Sequence, residues 1–141
     1  MQDSDADTFQ LDARLEADTR AVGELGLSRL LLMNDSRFPW LILVPRRAQA
    51  RELVDLTEAD HALLTAEIRQ VSQALRELVP TDKLNVAALG NMVPQLHVHV
   101  IARTKRDAAW PGPVWGVGRA EPYDAAMAER LTAGLRARLG L

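Results

Sequence analysis

The sequence predicts an α+β domain, with an antiparallel sheet and helices segregated from it. Three observations lead there. Two short aliphatic runs joined by turn residues read as a hairpin. A long apolar stripe at helical spacing follows them, and later comes a strictly alternating run, PQLHVHVIAR, from Pro94 to Arg103. The 141 residues suit one domain, 1–141, with room for a sizeable core. A hydrophobic fraction of 48% and a charged fraction of 26% are ordinary for a globular chain. The net charge of −2 gives no general attraction to nucleic acid or an anionic membrane. There is no cysteine, hence no disulfide and no thiolate metal site. No apolar run reaches transmembrane length, and MQDSDAD is acidic with no apolar run after it, unlike a secretory signal. A cytoplasmic setting is expected.

Along the chain, residues 1–8 are expected to form a flexible tail and residues 27–112 the core of the domain. Residues 9–19 (FQLDARLEADT) are apolar at 9, 11 and 15, which suits a short helix or a strand leading into one. The aliphatic run 27–33 (LSRLLLM) ends in the turn cluster Asn34-Asp35-Ser36, and 39–44 (PWLILV) ends at Pro45-Arg46-Arg47. Thr57-Glu58-Ala59-Asp60 is a capping-box pattern with Asp60 in the place of Glu. Leu64, Ile68, Val71, Leu75 and Leu78 then make one helical stripe, which Pro80 stops. Residues 84–89 (LNVAAL) read as a strand, Gly90-Asn91-Met92 as a tight connection, and 95–102 as the alternating strand. A Pro/Gly loop with two tryptophans, 110–118 (WPGPVWGVG), precedes a closing helix within 119–141. Pro122 is expected at its first helical position and Leu131, Leu135 and Leu139 along it. There are no repeats and no linker.

Gln95, His97 and His99 share one parity of the alternating strand; Leu96, Val98 and Val100 share the other. Imidazole is suited to nucleophilic and acid–base work near neutral pH. On one strand face the two histidines stand roughly 6–7 Å apart at Cα, so one can attack a phosphorus or carbonyl centre while the other contacts the same group. Gln95 adds an amide donor and acceptor, and the Gly90-Asn91 turn offers backbone N–H groups to an anion. Two other readings of the row stand beside this one. A polar cross-strand ladder would need no chemistry, and a metal pair would need a third ligand from His61 or a carboxylate. His61 falls at the start of the capped helix as a boundary residue, and no metal site is expected. Arg46, Arg47, Arg103, Lys105 and Arg106 are either phosphate ligands or a solvated rim, with Arg103 the candidate because it ends the motif strand. Trp110 and Trp115 suit a lid, base stacking, core packing or a contact between copies.

GNMVPQLHVHVIAR, followed after a short gap by WPGP, resembles the signature of the histidine triad (HIT) family, His-φ-His-φ-His-φ-φ with φ aliphatic. Here Gln95 stands in the first histidine position. The order of hairpin, long helix and two strands, with the motif on the last, resembles the family over about residues 27–112. The resemblance implies a HIT-like antiparallel sheet with a long helix after the first hairpin and a C-terminal helix. It also implies nucleotide chemistry, in which the middle histidine attacks the α-phosphorus and a covalent nucleotidyl-histidine is then released. By position, His97 is the nucleophile and His99 contacts the phosphate and aids the leaving group, with Gln95 beside them. Asn91 falls where the family has an amide at the α-phosphate, Met92 replaces the usual Ser or Thr, and Asn34 resembles the ribose-contacting Asp or Asn. Trp40 occupies the place of a further supporting histidine. The implied substrate is a nucleoside phosphoric anhydride, ester or phosphoramidate, of the diadenosine polyphosphate or nucleoside phosphoramidate kind. No cofactor is required beyond any Mg²⁺ carried by the substrate. The implied partner is a second copy, joined sheet edge to sheet edge, with no specific nucleic acid and no membrane. The alternative is a nucleotide-binding protein of the same fold with little turnover, because of Gln95 and Trp40.

Overall fold

The structure is a computed structural model and describes residues 8–141. Apart from Thr8, the expected tail lies outside the described residues. A short helix α1 (Ala13–Asp18) leads into β1 (Thr19–Glu24), β2 (Ser28–Met33) and β3 (Trp40–Pro45). After one 3₁₀ turn come the long helix α2 (Glu58–Leu78), β4 (Lys83–Ala87), β5 (Val98–Arg103) and α3 (Ala125–Leu139). The five strands form one antiparallel sheet in the order β1-β2-β3-β5-β4. The expected α+β architecture is therefore what the chain adopts.

The alternation of each strand divides the core into two. Leu30, Leu32, Leu41, Leu43, Val98 and Val100 face α2 and α3, packing on Leu64, Val71, Leu75 and Leu135. A fully buried leucine such as Leu64 or Leu75 contributes about 2 kcal/mol of transfer free energy, so this stripe rather than helix propensity holds α2 in place. Thr57 caps α2 by accepting from Asp60 N at 3.1 Å. The Asp60 carboxylate turns instead to the Arg47 guanidinium, at 2.7 and 3.1 Å. Helices α2 and α3 approach closely because residue 134 is glycine: a Cβ there would lie 2.8 Å from Leu78 Cδ2. Buried Glu67, on α2, accepts from Leu27 N at 2.7 Å and Ser28 N at 3.1 Å and so pins the β1–β2 turn.

The opposite face carries Leu31, Trp40, Ile42, Val44 and Ile101, and is covered by Leu15 of α1, Phe38 of the β2–β3 connection and Val114 of the 104–118 loop. His99 and Arg103 share this face by parity. Three expectations need correction. Residues 9–19 run helix first, and the edge strand β1 that follows was not foreseen; it buries only Val22 and has a register shift between Ala21 and Gly23. The motif strand begins at Val98, not at 95, because pairing with β3 stops at Leu43–Val98, although β3 itself runs on to Pro45, and pairing with β4 stops at Ala87–His99. Pro122 lies ahead of α3, whose N-cap is Asp124.

Candidate functional site

His99 sits in the centre of the sheet, opposite Ile42 of β3 and Ala87 of β4, and is 4% exposed. Its Nδ1 lies 3.0 Å from Trp40 Nε1. An indole N–H only donates, so Nδ1 of His99 is the acceptor and the ring carries its proton on Nε2. Burial, and then the neighbouring His97, push the His99 pKa from 6.5 down to about 4. The ring is therefore neutral at physiological pH, with an N–H to give.

His97 immediately precedes β5 and is 6% exposed. Its Nδ1 lies 2.6 Å from the main-chain carbonyl of Gln95. A carbonyl only accepts, so the His97 proton sits on Nδ1 and the lone pair on Nε2. The two rings stand 4.9 Å apart between centroids, at 67°. One thus offers a nucleophilic nitrogen and the other a hydrogen-bond donor. Trp115 packs edge-on against both His99 and Trp40, at 5.1 and 5.8 Å between centroids, and closes the aromatic cluster.

Two clefts adjoin these rings: Trp40 and Trp115, which pack on His99, line the first, and His97 lines the second. One, of about 370 Å³, is lined by Asp18, Asn34, Trp40, Trp115 and the Gly116–Gly118 backbone. The other, of about 270 Å³, is lined by His97 with Arg51, Leu53, Leu89 and Gly90. Asn34 lies at the first cleft, where its Oδ1 accepts from Tyr123 N at 3.0 Å. Asn91 is exposed and makes no hydrogen bond to the other described residues, one residue beyond Gly90, whose φ of 79° requires a glycine. Among the described residues, no three metal-ligating side chains converge.

Two sequence assignments change. Gln95 lines the smaller cleft beside His97, but its carboxamide is turned onto main chain: its Oε1 accepts from Asp12 N at 2.9 Å and its Nε2 donates to Gln10 O at 2.8 Å. Arg103 lines neither cleft. It is 1% exposed, and four of its five N–H bonds go to Asp107 (2.7 and 3.0 Å), Asn85 (2.8 Å) and Gly112 O (2.8 Å). Its guanidinium lies over the Phe38 and Trp110 rings, and through these contacts it ties the 104–112 loop to the sheet. Asp107 is held well below the usual carboxylate range, at about 2, chiefly by Arg103. The part played by the 10–14 segment was not legible, since it acts through backbone atoms that no motif records. Within that segment, Asp12 is kept below its ordinary pKa mainly by its hydrogen bonds with Arg14.

These features agree with what the chain resembles. The fold superimposes on that of a histidine triad protein from Bradyrhizobium japonicum with a TM-score of 0.91 at 50% identity, covering 93% of this chain and 98% of that one. A histidine triad (HIT) protein from Sinorhizobium meliloti 1021 gives a TM-score of 0.92 at 49% identity, over 95% and 99% of the two chains. Among curated proteins, the bis(5'-nucleosyl)-tetraphosphatase [asymmetrical] of Schizosaccharomyces pombe is 32% identical over 72 residues, 48% of this chain; the chain spans 39% of the length of that relative. Residues 14–106, well over half of the chain, match the HIT domain, and the protein belongs to the HIT domain family.

Proposed function

We propose that the protein is a nucleotide hydrolase or transferase in which His97 attacks the α-phosphorus of a nucleoside phosphoric anhydride, ester or phosphoramidate. The observation that carries this reading is the complementary state of the two rings: Nε2 is bare on His97 and protonated on His99, with the rings 4.9 Å apart. The His97 Nε2 lone pair forms the N–P bond as the bond from phosphorus to the leaving group breaks. The positive charge gained by the ring is met by the Gln95 carbonyl on Nδ1. The His99 Nε2–H donates a hydrogen bond to the phosphoryl oxygen or the leaving atom; a phosphate leaving group departs as the anion, and an alcohol or amine leaving group takes a proton from solvent as it departs. Water or another acceptor then attacks phosphorus, the N–P bond breaks, and the acceptor's proton passes to solvent. Splitting one displacement in two is the usual gain of a covalent intermediate.

The nucleoside fits the larger cleft, where Asn34 and the carboxylate of Asp18 suit ribose hydroxyls and the two indoles suit a base. The leaving group then falls toward Arg51 in the smaller one. Gln95 and Trp40 do not argue for a binding protein without turnover. The bond to Nδ1 of His97 needs only a peptide carbonyl, and Trp40 supplies a donor to His99. A tetraphosphatase among the relatives favours dinucleotide polyphosphates as first substrates. The exposed edge of β4, with Val86 half exposed, suits pairing with a second copy, which sedimentation at several concentrations tests.

The deciding experiment incubates wild type and His97→Ala with diadenosine polyphosphates and adenosine phosphoramidate, then quenches for intact mass. A nucleotidyl adduct and turnover are expected in wild type only. Tight nucleotide binding with neither adduct nor turnover would overturn the enzymatic reading.

A further inference from the structure

The proposed chemistry needs His97 in one tautomer, and what fixes that tautomer is a carbonyl of irregular chain. Strand pairing begins only at Val98, so the ladder does not hold the Gln95 peptide. The N–H of that peptide, carried by Leu96, donates to Ala50 O at 3.0 Å. The other anchor is the Gln95 side chain itself. In an extended segment, the carbonyl of residue 10 and the N–H of residue 12 point to the same side. A carboxamide presents an acceptor and a donor along one edge, as a peptide group does, and meets both: Oε1 takes Asp12 N at 2.9 Å and Nε2 gives to Gln10 O at 2.8 Å. The two nitrogens of an imidazole point away from each other, and one ring does not span that pair. The segment so gripped is seated elsewhere too. Phe9 and Leu11 pack on the second core cluster, and Arg14 Nη1 donates to Met92 O at 2.8 Å.

We propose that Gln95 is a positioning residue for His97: its carboxamide clips the Gln10–Asp12 backbone to the loop before β5, and the clipped loop keeps the Gln95 carbonyl on Nδ1 of His97. The effect on turnover rests on the reading of His97 as nucleophile; the effect on the ring does not. Glutamine in the first motif position is then a different device rather than a weakened histidine, because it recruits a strap of backbone 83 residues away in the chain.

Nitrogen-15 NMR of histidine-labelled protein reads the ring directly. The variants are Gln95→Ala, Gln95→His, Asp12→Pro and Asp12→Ala. Asp12 has φ −54°, which proline adopts, so Asp12→Pro deletes the N–H with little backbone change. Both Asp12 variants lose the carboxylate and only proline loses the N–H bond to Gln95 Oε1, so the difference between them isolates that half of the clip. In wild type, His97 is expected to show a protonated Nδ1 and a bare Nε2. In Gln95→Ala, Gln95→His and Asp12→Pro the two nitrogen shifts should move toward each other as the tautomers mix. Where wild type turns over, kcat should fall about tenfold, the worth of one hydrogen bond, with KM little changed. Far-UV circular dichroism establishes that each variant is folded. Wild-type nitrogen shifts in folded Gln95→Ala and Asp12→Pro would overturn the clip, as would equal shifts in Asp12→Pro and Asp12→Ala. If wild type turns over no substrate, the nucleotide reading fails, while the nitrogen shifts still decide the clip.

Discussion

Between pH 6.5 and 4 the protein is expected to lose about 3 kcal/mol of stability to one side chain, His99. In the unfolded chain the imidazole binds its proton near 6.5; in the folded one, burial and His97 delay that to about 4. Protonating Nδ1 in place would also set an N–H against the Trp40 indole N–H. As the pH falls through this window the unfolded state therefore binds more protons, and folding weakens. The contribution is fully present above 6.5 and gone once the pH has fallen through about 4, and at about 1.4 kcal/mol per pH unit it comes to about 3 kcal/mol. Urea unfolding at about pH 7 and about pH 4.5 measures it, with His99→Gln as reference, since glutamine retains an acceptor for Trp40 but does not titrate. The wild type should lose about 2–3 kcal/mol more than the variant over that interval. Parallel losses would refute both the neutral buried ring and the tautomer assigned to it.

Other consequences are open to measurement. Trp40→Phe removes the donor to Nδ1 of His99; by NMR titration the ring should then protonate at a higher pH, with a stability cost of about 1–3 kcal/mol. Arg103→Met removes the cation beside Asp107, leaving its carboxylate only the N–H groups of Thr104, Ala109 and Trp110, and should cost about 3 kcal/mol by denaturant unfolding. An unchanged stability with a raised KM would instead return Arg103 to the phosphate site. Glu67→Ala strips the acceptor from the Leu27 and Ser28 amides and should cost about 3 kcal/mol, read as a lowered urea midpoint with an unchanged slope.

Where burial imposes a period, the sequence was readable. The stripe from Leu64 to Leu78 gave α2 because those side chains face one core, and the aliphatic runs of β2 and β3 stood out because both are buried in the middle of the sheet. β1 escaped because an edge strand with one buried residue has no period to display. The motif strand was begun three residues too early since alternation records parity, whereas a strand begins where its pairing begins. At the site, His97, His99 and the neighbouring Trp40 follow from the motif and its adjacent strand. The role of Gln95 did not, because its partners are main-chain atoms of Gln10 and Asp12. Arg103 misled for a related reason: a cation at the end of a motif strand has the same letter whether it meets a phosphate or Asp107.

The placement of the tryptophans makes assembly of the site visible in folding. The chain has three. Trp40 lies on β3 opposite Ile101 of β5, Trp115 rests on Trp40 and His99, and Trp110 lies against Arg103 at the end of β5. None is on a helix. The β1–β2–β3 meander and the β4–β5 pair are each built from neighbours in sequence, and they join at the β3–β5 seam, which closes a loop through α2 and is entropically the slower contact to make. Intrinsic emission should therefore follow the closing of that seam, while ellipticity follows α2 and α3. In a stopped-flow refolding record the optical clock runs on the same event that brings the two imidazoles together.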